Sequence, residues 1–248
     1  MKTIKLRVLA RRALLATVLV GAASLAGAAS FGLSPMRVEL SAAARTAVVE
    51  VTNSDEAPVT IQVQPRAWRQ ADGKDVQEDT KALIVNPPIF TVKPQGRQLV
   101  RIALRTAPAP RIEQSFRLIF AEVPTNRVEH TPTPGFTFHI AMRMDIPLYV
   151  APLSGKPAPT PSWSITANEA ASRLRIGNEG NGNLRLTQLK VTQAEHTLAE
   201  VNAIVVLPGA FRVVELTGKL TEDPVRVQAL QGTGKGEALD FTLPPAVR

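Results

Sequence analysis

Apolar and polar residues alternate with a period of two in several segments, the signature of half-buried strands. In segment 59–67, Val59, Ile61, Val63, Pro65 and Ala67 share one face, and Thr60, Gln62, Gln64 and Arg66 share the other. Val100, Ile102 and Leu104 alternate with Arg101, Ala103 and Arg105, and Phe116, Leu118 and Phe120 with Arg117, Ile119 and Ala121. The longest run, 136–148, puts Phe136, Phe138, Ile140, Met142, Met144, Ile146 and Leu148 on one face. As a strand it would be about 40 Å long at the usual rise, roughly twice the ordinary length. Periodicity alone reads it equally well as a central strand or as an edge whose apolar side chains are offered to another chain.

Turn chemistry separates these runs. Asp72-Gly73 lies in an acidic loop at 71–81, Asn86-Pro87-Pro88 is a rigid break, and Pro94-Gln95-Gly96 is a turn. After Pro152 comes a proline-rich connector at 153–161, of the semi-rigid kind. Short strands then resume around Leu174 and Ile176, Leu184 and Leu186, and in segments 204–207, 211–216, 225–230 and 239–243. Short strands at this spacing predict an all-β protein built from sandwiches. The boundaries predict two β-sandwich domains, 29–152 and 153–248.

Composition refines this picture. Residues 1–12 carry five basic residues and no acid, residues 13–26 are apolar and small, and Ala26-Gly27-Ala28 fits a cleavage site. Residues 1–28 therefore read as a secretory signal peptide, separate from the folded domains. The formal net charge of +8 includes those five basic residues, so the remaining 220 residues carry +3. That charge gives no footprint for nucleic acid, and no later stretch is long and apolar enough to insert in a membrane. The chain has no cysteine, which excludes thiol chemistry and Cys-bound zinc. All 20 prolines lie at or beyond Pro35, too dense for helix bundles.

Candidate chemistry is sparse. His130, His139 and His196 are far apart and at no metal-ligand spacing, and no nucleophile elbow occurs. The run 232–236 (GTGKG) lacks full P-loop spacing and reads as a hairpin loop. Asp72, Asp75, Glu78 and Asp79 fit no calcium loop and read as an exposed acidic turn. The expectation is a protein that is not an enzyme and needs no cofactor and no metal.

Taken in order, the motifs LSPMRVEL at 33–40, AVVEVTN at 47–53, VTIQVQ at 59–64, NPPIF at 86–90, VKPQG at 92–96, FRLIFAEVP at 116–124 and IPLYVAP at 146–152 closely resemble the periplasmic pilus chaperones of the chaperone–usher pathway. Short variants such as IPLYV resemble the branch that assembles archaic and spore-coat-type fibres. The resemblance implies two immunoglobulin-like domains in a boomerang, working in the periplasm without cofactor. It implies capture of pilus subunits by donor-strand complementation and their delivery to an outer-membrane usher. Mapped here, the donor strand is 136–148, with Phe136, Phe138, Ile140 and Met142 entering the subunit's pockets. Burying four such side chains would contribute on the order of 6–12 kcal/mol before entropic costs. The same exposed edge makes self-association an expectation.

The family also anchors the C-terminal carboxylate of the subunit with basic residues. Arg37 matches the first in register, and a guanidinium suits bidentate contact with a carboxylate. The second, a lysine in the family, falls on Pro147, leaving Arg101 and Arg143 as substitutes. Glu122 matches an acidic residue used by some relatives in an interdomain salt bridge, but its usual arginine partner falls at Ala151. The competing reading is a structural pilus or adhesin subunit, which should show a single incomplete domain and a donating N-terminal extension.

Overall fold

The computed structural model describes residues 31–109, 111–124, 141–167, 171–218, 220–232 and 236–244. The regular elements among them are all strands. In the first half these are β1 (Phe31–Ser34), β2 (Val38–Leu40), β3 (Thr46–Asn53), β4 (Val59–Ala71), β5 (Lys74–Asp79), β6 (Leu83–Asn86), β7 (Ile89–Val92), β8 (Arg97–Leu104), β9 (Gln114–Glu122) and β10 (Arg143–Val150). In the second half they are β11 (Pro161–Ala167), β12 (Ser172–Asn178), β13 (Leu184–Gln193), β14 (His196–Val206), β15 (Phe211–Leu216), β16 (Val225–Gln231) and β17 (Glu237–Leu243).

The first ten strands form a sandwich. One sheet runs β1-β3-β8-β6, and the other runs β2-β10-β9-β4-β5, with β7 also paired to β4. Alternation decides which residues meet between the layers. Val49 and Val51 of β3 and Val100, Ile102 and Leu104 of β8 face Ile61 and Val63 of β4, Phe116, Leu118 and Phe120 of β9, and Ile146 and Leu148 of β10. The chain changes sheets between β1 and β2, through the turn that carries Arg37.

The remaining strands form a second, separately packed sandwich of β11-β12-β15 on β14-β13-β16-β17. Its core is built by Leu174, Ile176, Leu184, Leu186, Val206, Val225 and Val227 among others. β16 and β17 pair antiparallel from Gln231↔Glu237 onward, and residues 233–235 of the expected hairpin loop lie outside the described residues.

Three segments depart from the sequence reading. The acidic stretch is a strand, β5, paired to β4 across a turn in which Asp72 (φ 50) and Gly73 (φ 74) are both left-handed, the pattern of a tight hairpin turn. Its carboxylates are exposed, as expected, and each pairs with an arginine: Glu78 with Arg69, Asp79 with Arg66, and Asp75 with Arg212 of the other sandwich. The proline-rich connector is also shorter than expected, because Pro161 already opens β11, opposite Asn178. The connector is held by the turn after β12: Asn181 accepts from the Ala158 N–H at 2.9 Å, and the Gly182 N–H donates to the Ala158 carbonyl. Finally, the long apolar strand is described only as β10, and its expected first half, with Phe136, Phe138 and Ile140, lies outside the described residues.

Candidate functional site

Two properties of β10 set up the site. Its full length pairs antiparallel with β9, but on its other edge the parallel strand β2 covers only Leu148–Val150. Among the described residues, the edge from Arg143 to Pro147 has no strand neighbour on that side. Main-chain N–H and C=O groups left open in this way are a template for an incoming strand. Met142 lies just before β10. It packs, partly buried, against its own domain's core, and its N–H donates to Glu122 Oε2 at 3.1 Å. Of the four expected donor side chains, this one is engaged at home, because 142, 144, 146 and 148 share the inward parity.

The opposite parity of the same sheet faces the second sandwich. Pro147 sits opposite Arg117 of β9, and Arg117 opposite Arg66 of β4. Arg37 immediately precedes β2, whose Val38 is opposite Leu148, so Arg37 flanks Pro147 on the other side. Two strand spacings, roughly 10 Å, separate the Arg37 and Arg117 backbones, within reach of two long side chains meeting over Pro147. The Arg37 guanidinium lies 4.7 Å from the Tyr149 ring and pairs with the exposed Glu39 at 2.8 Å. The Arg117 guanidinium stacks 3.7 Å over Trp68, 3.6 Å from Asp145. The Nε atoms of both are buried and lack a hydrogen-bond partner.

The floor of this cleft joins the two sandwiches. Trp68, Tyr149 and Leu207 are buried together, with the Trp68 and Tyr149 rings 6.1 Å apart. Burial pushes the Tyr149 hydroxyl up to about 12, against the pull of Arg37 and Arg117. Gln70 bonds the second domain twice, donating to the Val205 carbonyl at 3.0 Å and accepting from the Leu207 N–H at 3.0 Å. The β4–β5 hairpin tip docks beside it. Arg212 donates to the Gly73 carbonyl at 2.8 Å, and a Cβ on Gly73 would meet the Phe211 ring at 3.4 Å. Burial alone would raise the Asp75 carboxyl, but hydrogen bonds from Arg212, Trp68 and Gln70 outweigh it and hold the group below its ordinary range. Glu113 closes the other end, where its carboxylate accepts from the Asn183 backbone and side chain at 3.0 and 2.8 Å. Burial pushes Glu113 above the usual carboxyl range despite those bonds.

The two proposed substitutes for the second basic anchor are placed differently. Arg101 does not reach Arg37. Its strand, β8, belongs to the other sheet between β3 and β6, and with Val100 and Ile102 turned to the core, Arg101 points outward into solvent. It is therefore not on a strand neighbouring β10, contrary to expectation. Arg143 shares the face of Pro147 but lies four residues along the strand, about 13 Å away, and is exposed opposite Ala121. Arg117, on the strand beside β10, is the arginine directly opposite Pro147. The sequence showed its outward parity but not that β9 runs beside β10 at Pro147.

His196 is an exposed strand residue beside a hairpin turn, and no metal-holding group of His, Asp and Glu exists among the described residues.

The fold is two β-sandwiches, and the unpaired stretch of the β10 edge lies beside Arg37 and Arg117. Residues 30–156 match the family of pili and flagellar-assembly chaperones, PapD N-terminal domain, and the chain belongs to that family. The family is one of chaperones, not of enzymes or fibre subunits. A search of the curated proteins finds no match. Among solved structures, the chain is similar to one of the CsuC–CsuE chaperone–tip adhesion subunit pre-assembly complex from the archaic Csu pili of Acinetobacter baumannii. That match has 19% identity and a TM-score of 0.69, over 86% of this chain and 98% of that one. It is also similar to one in the complex of SafA pilin with the SafB chaperone of Salmonella enterica, at 18% identity and a TM-score of 0.64, over 86% and 96%. The E. coli chaperone DraB follows at 20% and 0.60, over 87% and 97%. At these identities the likeness speaks for the fold.

Proposed function

We propose that this chain is a periplasmic chaperone that captures pilus subunits by lending them a strand and delivers them to an outer-membrane usher. The observation that carries the reading is the open edge of β10 from Arg143 to Pro147 beside the Arg37–Arg117 pair. An incoming strand of the subunit pairs with that edge through main-chain hydrogen bonds. Phe136, Phe138 and Ile140 fill its pockets, and Met142 marks the point where the strand passes from the subunit's core to the chaperone's own. The C-terminal carboxylate of the subunit binds Arg37, with Arg117 replacing the lysine lost to Pro147. Residues 1–28 are removed on export, leaving domains 29–152 and 153–248. The neighbours solved with a tip adhesion subunit and with a pilin support the choice of partner.

The test is a pull-down of the tagged chain from its native periplasm, wild type beside Arg37→Ala, with intact-mass analysis of what co-purifies. The expected result is a small sandwich protein bound to wild type and lost from the variant. A partner held equally by both removes the anchor assignment. No partner during active fibre production contradicts the chaperone reading.

A further inference from the structure

The register of β13 aims a third arginine at the cleft from the second domain. Leu184 and Leu186 are fully buried in that domain's core, so Arg185 between them projects from the opposite face of the sheet. Its cross-strand partner Val205 packs against the Trp68–Tyr149–Leu207 cluster, which places this face against the first domain. Arg185 and Arg37 line one cavity of about 470 Å³, together with Glu113, Tyr149, Gly182 and Asn183. The Nε of Arg185, like that of Arg37, is buried without a hydrogen-bond partner. Among the described residues no carboxylate pairs with it, and Glu113 Oε1 is taken by Asn183. A buried guanidinium donor left open is costly unless a ligand completes it.

We infer that Arg185 is the arm the second domain contributes to the carboxylate site, so that a captured chain end is gripped from both domains at once. This rests on the proposed binding of a pilus subunit's terminal carboxylate at Arg37. A carboxylate offers about four acceptor positions, enough for a bidentate Arg37 and a further donor from Arg185. The bound group then ties β13 to β2 and β10, and capture fixes the angle between the sandwiches.

The experiment follows arginine Nε–H resonances of the mature chain by NMR while N-acetylglycine, or its amide as control, is added. The free acid is expected to shift the Arg37 and Arg185 signals with one shared dissociation constant, and the amide to shift neither. Arg185→Gln should weaken binding roughly tenfold, the value of a charge-assisted hydrogen bond. Arg185→Lys, which keeps the charge but loses the planar fork, should fall in between. An Arg37 response with unchanged affinity in Arg185→Gln overturns the role of Arg185 and leaves the capture of pilus subunits standing. Equal response to acid and amide, or none at either arginine, overturns the carboxylate reading itself and Arg185 with it.

Discussion

Asn178 is the buried polar residue on which the shape of the cleft's second wall depends. It is 1% exposed. Its Nδ2 donates to the Gly182 carbonyl at 2.8 Å and the Val206 carbonyl at 3.0 Å, while its Oδ1 accepts from the Thr160 and Gly180 N–H groups, each at 3.0 Å. One side chain thus fastens the turn after β12 to β14 and to the connector. Replacing it with alanine strands four backbone groups. Each orphan costs about 1–3 kcal/mol if it stays dry, and the exposed ends of the turn will recover water. The expected loss is about 3–5 kcal/mol for the second domain, or roughly 15–30 °C in its melting temperature. The two tryptophans make the assay selective. Trp163 stacks edge-on to Phe241 at 5.2 Å inside the second sandwich, whereas Trp68 belongs to the cleft. Urea unfolding followed by Trp163 fluorescence in a Trp68→Phe background, with and without Asn178→Ala, measures the change directly. A change in stability of less than about 1 kcal/mol, below the value of even one typical buried bond, would refute the idea that this side chain holds the turn.

Other consequences can be checked with the same protein. Tyr149 is the chain's single tyrosine, so absorbance near 295 nm reports it alone; it should ionise at about 12, and Arg37→Ala should move it higher still. Because the folded value lies above the unfolded one of 10.0, its contribution to stability is lost as pH rises beyond 10, by about 1.4 kcal/mol for each tenfold difference in proton affinity between the two states. Arg117→Ala should lower the yield of co-purified pilus protein, whereas Arg101→Ala, on the outer face of the other sheet, should leave it unchanged; equal losses would contradict the placement of the site. Glu113 is raised, so the native state holds its proton more tightly and stability falls as pH climbs through and above the ordinary carboxyl range. Glu113→Gln keeps an acceptor for Asn183 and should flatten that decline in a pH series of urea midpoints.

The strands of the first core were readable because their alternation is clean. β8 buries the face it predicts, β4 does so over Val59, Ile61 and Val63, and β9 does so while also burying Ile119 on its other face. β5 was not readable. KDVQED has no apolar face, and it is a strand because β4 offers a free edge and Arg66, Arg69 and Arg212 offer countercharges, two of them from its own hairpin and one from the other domain. Arg37 was legible only through the family motif around it, since an arginine beside a short strand says nothing by itself. Arg117 and Arg185 were legible in parity alone, as polar positions between buried neighbours. Their convergence depends on which strand lies beside which and on how two sandwiches dock. Those are long-range facts, fixed by Trp68, Tyr149, Leu207 and Gln70 rather than by any local run.

A strand ending in β10 that is lent to another protein must lie against that protein while fibres are being made. A photo-crosslinking residue placed at Phe138 or Ile140, beside a control at the exposed Val213 of β15, tests it in living cells making fibres. Both strand positions should capture a small secreted β-sandwich protein, and Val213 should not. Crosslinks confined to Val213, or a strand that captures nothing while fibres are assembled, would contradict it.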